Sequence, residues 1–167
     1  MRSGRLSKNT IITVVSVVLT GALVLTIWIV VANTRPDTPT TLAGVKAEAM
    51  LVVEEIHDLV PPASVVDSTD EAQTVDCVAG GGSQMMRIRR VIVVPEDFDR
   101  TQWTLELEEK FRARQGWATD FERLPGQAGT RVRLVNPQTL IFSVVSTAED
   151  GVPHLTILST TRCSHPE

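Results

Sequence analysis

Residues 11–32, IITVVSVVLTGALVLTIWIVVA, carry no charge and no proline. As a helix rising 1.5 Å per residue this run is about 33 Å long, enough to cross a bilayer. Beyond it the pattern becomes periodic. Leu42, Val45, Ala49, Val52, Ile56 and Leu59 recur at spacings of three and four, which predicts a helix over 41–60. Thr40 or Thr41 can cap its start and Pro61-Pro62 ends it, while Glu48, Glu55 and Asp58 lie off the apolar stripe.

Residues 63–72 read as a polar connection, and Gln73–Ala79 as a strand with Val75, Cys77 and Ala79 inward. Gly80-Gly81-Gly82-Ser83 then reads as a hairpin connection, because no Lys-Ser or Lys-Thr follows to make a phosphate loop. Residues 84–94, QMMRIRRVIVV, predict an interior strand stopped by Pro95. A second helix is expected over 97–115, capped by Asp97 or Asp99, with Trp103, Leu107, Phe111 and the stem of Arg114 on one stripe. Glu106–Lys110 and Glu108–Arg112 are favourable i,i+4 pairs, and Gly116 suits the C′ position.

After Gly116 the period falls to two. Placing Phe121 opposite Val132 sets Glu122 opposite Arg131 and Asp120 opposite Arg133, so apolar and charge matching support one register. Pro125-Gly126, Asn136-Pro137-Gln138 and Glu149-Asp150-Gly151 mark turns. Leu140, Phe142 and Val144 are expected inward, as are Leu155, Ile157, Ser159, Thr161 and Cys163. The fold class is therefore α+β: an N-terminal transmembrane helix, then an α-β-β-α-β-β-β(-β) domain whose mostly antiparallel sheet is covered on one face by two helices. The segments are 1–10 cytoplasmic, 11–32 transmembrane, 33–40 a Thr/Pro linker, 41–163 the domain and 164–167 a tail. The linker NTRPDTPT, with two Pro, is an extended spacer reaching about 25 Å at 3.1 Å per residue.

Charge orients the chain. Arg2, Arg5 and Lys8 precede the apolar run, and all 20 acidic residues follow it. The positive-inside rule then puts the N-terminus in the cytoplasm and the domain outside the cell membrane, as a single-pass protein. The competing reading is an export signal cut after Ala32, with Val30 and Ala32 as its small residues. The length of the run and an interfacial Trp28 favour a retained anchor. The domain's acidic balance argues against nucleic acid or anionic lipid as its main partner. Arg outnumbers Lys 13 to 3 and Tyr is absent, a bias that favours a GC-rich bacterial genome. In an exported domain Cys77 and Cys163 are expected to form a disulfide, the alternative being two buried thiols.

Little in the chain points to chemistry. His57, His154 and His165 have no metal-ligand spacing, so neither a metal nor another cofactor is expected. His57 beside Glu54 and Asp58 reads most simply as a solvated helix face. No G-x-S-x-G marks a nucleophile, and an enzyme is not expected. Arg87, Arg89 and Arg90 form the densest basic cluster. Arg87 and Arg89 share a strand face that can lie near Arg131 and Arg133, which makes these four the candidate anion contacts, for a lipid headgroup or an acidic envelope polymer. The plainer reading is the polar outer face of a sheet.

The helix ending in Arg114-Gln115-Gly116-Trp117, the following meander and the late Cys163 in Thr161-Arg162-Cys163 resemble the small, uncharacterised, membrane-anchored or lipoprotein-like envelope proteins of high-GC Gram-positive bacteria. This chain lacks their N-terminal lipid-acceptor Cys. The resemblance implies a cell-surface domain and transfers no catalytic residue. Together these features lead to the expectation of a membrane-anchored module that binds or scaffolds an envelope protein or polymer. A small-ligand-binding module is the alternative, and an envelope hydrolase is the least favoured.

Overall fold

A computed structural model describes residues 40–78, 81–125, 129–149 and 151–165. The span expected at 11–32, the segment 1–10 and linker residues 33–39 lie outside the described residues, as do Gly126 and Asp150 of two expected turns. Among the described residues no helix is long and apolar enough to cross a membrane.

Helix α1 (Leu42–Asp58) begins at Thr41, whose hydroxyl accepts the Gly44 amide at 3.2 Å. Strands β1 (Asp67–Asp76) and β2 (Gln84–Val93) form a hairpin, followed by helix α2 (Arg100–Arg112), capped by Asp99 through the Gln102 amide. Strands β3 (Ala118–Leu124), β4 (Gly129–Val135), β5 (Ile141–Glu149) and β6 (Val152–Thr160) complete an α+β domain. All neighbours are antiparallel, in the order β1-β2-β6-β5-β4-β3. The β3–β4 register sets Phe121 against Val132, Glu122 against Arg131 and Asp120 against Arg133, as apolar and charge matching require.

Both helices cover one face. Val45, Ala49, Val53 and Ile56 of α1 and Trp103, Leu107 and Phe111 of α2 meet Ile88 and Ile92 of β2, Leu155 and Ile157 of β6, Phe142 and Val144 of β5, and Val132 and Leu134 of β4. Val53, not Val52, is fully buried, a one-position drift of the stripe around the helix. Trp117 meets the Phe111 ring edge-on, at 4.7 Å between centroids, and closes the core beneath α2. Gly129 lets β4 run close to β5: a Cβ there would stand 2.5 Å from the Ser146 carbonyl oxygen.

Four expectations change. The strand expected at 73–79 begins at Asp67 and ends at Asp76, because ladder bonds to β2 hold a polar stretch that has no apolar alternation of its own. Helix α2 is capped at Ala113, so Gly116 (φ 81°) serves the next turn rather than the C′ position. Residues 164 and 165 are not a free tail. Ser164 pairs with Gln84, and His165 bridges Thr41. Cys77 and Cys163 are bonded, with Cα atoms 6.1 Å apart, but Cys163 is exposed rather than inward because it lies past the end of β6.

Helix α1 is further held by its acids. Glu48 accepts Arg162 at 2.8 Å, and Glu55 takes both Nη groups of Arg114, which stacks on Phe111 at 4.2 Å. Glu54 takes Arg90, the most demanding of the three. Arg90 is only 4% exposed. Its Nε and Nη2 donate to Asp70 at 2.6 Å each, and its Nη1 and Nη2 donate to Glu54 at 2.7 Å each. Nη1 also donates to His57 Nδ1 at 3.1 Å, which fixes that nitrogen as an acceptor. His57 is thus part of a guanidinium clamp and not a plain solvated face.

Hydrogen bonds from Arg90 hold the Glu54 and Asp70 carboxyls below the usual range, against the opposing effect of desolvation. Depressed carboxylates stabilise the fold fully above their unfolded pKa values, and that share is lost as pH falls through the lower folded values. Thermal melts from neutral to acid pH are therefore expected to show a loss of stability below about pH 4, and Asp70→Asn should flatten this slope. Replacing Arg90 with Ala should cost on the order of 2–3 kcal/mol, less than for a fully buried pair because both carboxylates are half-exposed and can rehydrate. Urea unfolding would measure it. Replacing both cysteines with Ser should lower the unfolding free energy by up to about 4–5 kcal/mol for a separation of 86 residues. Equal urea midpoints with and without reductant would contradict this.

Candidate functional site: the open face of the sheet

Alternation in the strands sends every second side chain away from the helices. Arg87 and Arg89 of β2 and Arg131 and Arg133 of β4 all reach this opposite face, on which no described element packs. They do not form one cluster. One row across the sheet reads Glu71, Arg89, Leu158, Ser143, Arg133, Asp120. Arg89 and Arg133 are thus three strand spacings apart, roughly 14 Å. The face is striped, with acids on the edge strands, arginines one strand in, and the uncharged stretches 156–160 of β6 and 141–147 of β5 in the middle.

Partners differ along the stripes. Arg131 donates to Glu122 at 2.7 Å, and Arg89 lies 3.5 Å from Glu71. Arg87 and Arg133 have no acidic partner within salt-bridge distance among the described residues, although Asp120 is opposite Arg133 in register. Beside Arg87 the surface dips into a depression of about 360 Å³, lined by Glu71, Gln73, Arg87, Arg89, Leu158 and Thr160. Leu158 and Ile141 are 40% and 47% exposed, so the central floor combines apolar groups with the hydroxyls of Ser143 and Thr160. Such a surface can hold an anion by charge-assisted hydrogen bonds while covering an uncharged body.

The histidines do not converge. His57 belongs to the Arg90 clamp. His154 is 8% exposed. Its Nδ1 donates to the Val152 carbonyl at 3.1 Å, and its Nε2 shares a hydrogen bond with the Thr147 hydroxyl at 3.1 Å. His165 bridges to Thr41 by its backbone. Among the described residues no three His, Cys, Asp or Glu side chains are grouped to hold a metal ion.

Two charged groups do more than their local spacing indicates. Arg90 was grouped with Arg87 and Arg89, yet adjacent residues of a strand point to opposite faces. Its position between Ile88 and Ile92 already required it to turn toward the helices. Glu108 is spaced to pair with Arg112 at i,i+4. It does bind Arg112, but it is 5% exposed and also accepts the Thr119 hydroxyl at 2.7 Å, since it shares the buried side of α2 with Thr104 and Phe111. These hydrogen bonds hold its carboxyl below the usual range, with Arg112 the larger cause. Glu106 instead accepts Gln102 at 2.8 Å.

Because Arg87 and Arg133 have no ionic partner among the described residues, replacing both with Gln is expected to change stability by no more than about 0.5 kcal/mol. Urea unfolding of the double variant checks this, and a larger loss would assign these arginines to the fold. No family model, no curated protein and no solved structure matches the chain.

Proposed function

We propose that this chain is a single-pass, membrane-anchored extracytoplasmic module that binds or scaffolds an acidic component of the bacterial cell envelope on its open sheet face. The observation that carries the reading is the striped face itself. Two arginine rails flank an uncharged floor, and Arg87 and Arg133 keep guanidinium donors available there. A linear anionic partner lying along β6 and β5 would meet donors on both sides. The Cys77–Cys163 bridge supports an oxidising compartment. The anchor and the orientation rest on the apolar run and its flanking charges.

The depression beside Arg87 supports the second reading, a module for a small anionic ligand. Its open shape suits the edge of a larger partner better than an enclosed small molecule. No catalytic group is assigned, and no cofactor enters the reading.

In intact cells, a photo-crosslinking residue at position 158 is expected to capture an envelope component, whereas one at Leu51, which is 73% exposed on α1, should not. Arg87→Glu with Arg133→Glu should abolish the adduct. Equal capture from both positions would refute the assignment of the face. A mature N-terminus at Asn33 would replace the anchored protein by a secreted one.

A further inference from the structure

Strand β1 adds almost nothing to the core. Nine of its ten side chains are exposed and only Val75 is half-buried. The other edge strand is different: Thr119 and Phe121 of β3 are half-buried, and Phe121 packs on the core. Yet β1 is held more firmly than its burial can explain. It pairs with β2 in unbroken register from Asp67↔Val93 to Asp76↔Gln84. Asp70 takes two hydrogen bonds from the nearly dry Arg90, and the disulfide fixes the chain one residue beyond the strand.

What these clamps present is a straight backbone edge. The Cys77 amide donates to the Ser83 carbonyl, whereas the Met86 and Gln84 amides point away from β1 toward Thr161 and Ser164. Antiparallel alternation then turns the amides of Asp70, Ala72, Thr74 and Asp76 outward. The Ser68 amide is taken by Asp67 Oδ1 at 2.8 Å. No proline or bulge interrupts the edge, and no described strand pairs with it.

We infer that β1 is a docking edge that accepts an extended, basic segment of another protein as a seventh strand. Backbone hydrogen bonds supply the attachment and alternate side chains the selectivity. Charge selects the occupant. Asp67, Asp70, Glu71 and Asp76 lie on the strand, with no Lys or Arg among residues 67–76. A second copy would bring two acidic edges together, and this repulsion keeps a long free edge from self-association. The chain's own linker is unsuited, since Pro36 and Pro39 cannot donate to a ladder. This edge is separate from the arginine-lined face, and the inference stands whichever component that face binds.

The test uses the full chain in detergent micelles and two short blocked peptides, one alternating Thr with Lys and one alternating Thr with Glu. The Thr-Lys peptide should shift the amide resonances of Asp70, Ala72, Thr74 and Asp76 and slow their hydrogen exchange. The Thr-Glu peptide should bind at least about tenfold more weakly. Ala72→Pro removes an outward donor without breaking the β1–β2 ladder, and should weaken the Thr-Lys peptide by about tenfold or more at an unchanged melting temperature. Thr74→Pro repeats the test if Ala72→Pro unfolds. Failure of both peptides to bind, equal binding of the two, or shifts confined to Arg87 and Arg133 would overturn the inference. The last outcome would still leave the sheet-face reading standing.

Discussion

Arg90 is the point at which three elements have to meet. A guanidinium that is nearly dry must have its donors satisfied by charged acceptors. Here the acceptors come from α1 and β1, while Arg90 itself sits on β2. The position of the first helix over the sheet and the attachment of the edge strand therefore follow from one desolvated charge. The apolar stripe of α1 supplies the burial, but an apolar stripe tolerates rotation and sliding. Five hydrogen-bond contacts to Arg90 do not, and they select one placement.

The same principle recurs more weakly at Glu48–Arg162 and Glu55–Arg114. Three of the four acids of α1 each take an arginine from a different part of the domain: the segment after β6, β2, and the turn after α2. The acidic composition of the domain is thus partly spent inside it. Arg87 and Arg133 stand apart from these pairs, which is why the open face keeps donors in a chain whose net charge is negative.

Where local pattern and tertiary demand coincide, the sequence was legible. Both helices, the interior strand β2 and the β3–β4 register could be read because apolar spacing and charge pairing gave the same answer twice. The first half of β1 was not, since a strand solvated on both faces has no alternation to read. The burial of Arg90 and Glu108 is not legible locally, for a common reason. Their partners are distant in sequence, and a charged residue looks solvated until those partners are known. The four arginines of the candidate site share one face, but their separation depends on two strands, β6 and β5, inserting between β2 and β4. Strand order is not written in local periodicity.

The pairing of Thr41 with His165 has a mechanical meaning. A pull applied at Thr41 passes directly to the segment after β6, and from Cys163 through a covalent bond to Cys77. A load applied at points outside this loop cannot draw out the stretch between the cysteines. Only α1 and β1 can yield, and together they release no more than roughly 120 Å of chain at 3.3–3.6 Å per residue. The five strands from β2 to β6, including the arginine rails, lie within the protected loop. A load borne between the two ends of the domain therefore bypasses the sheet that carries the arginine rails.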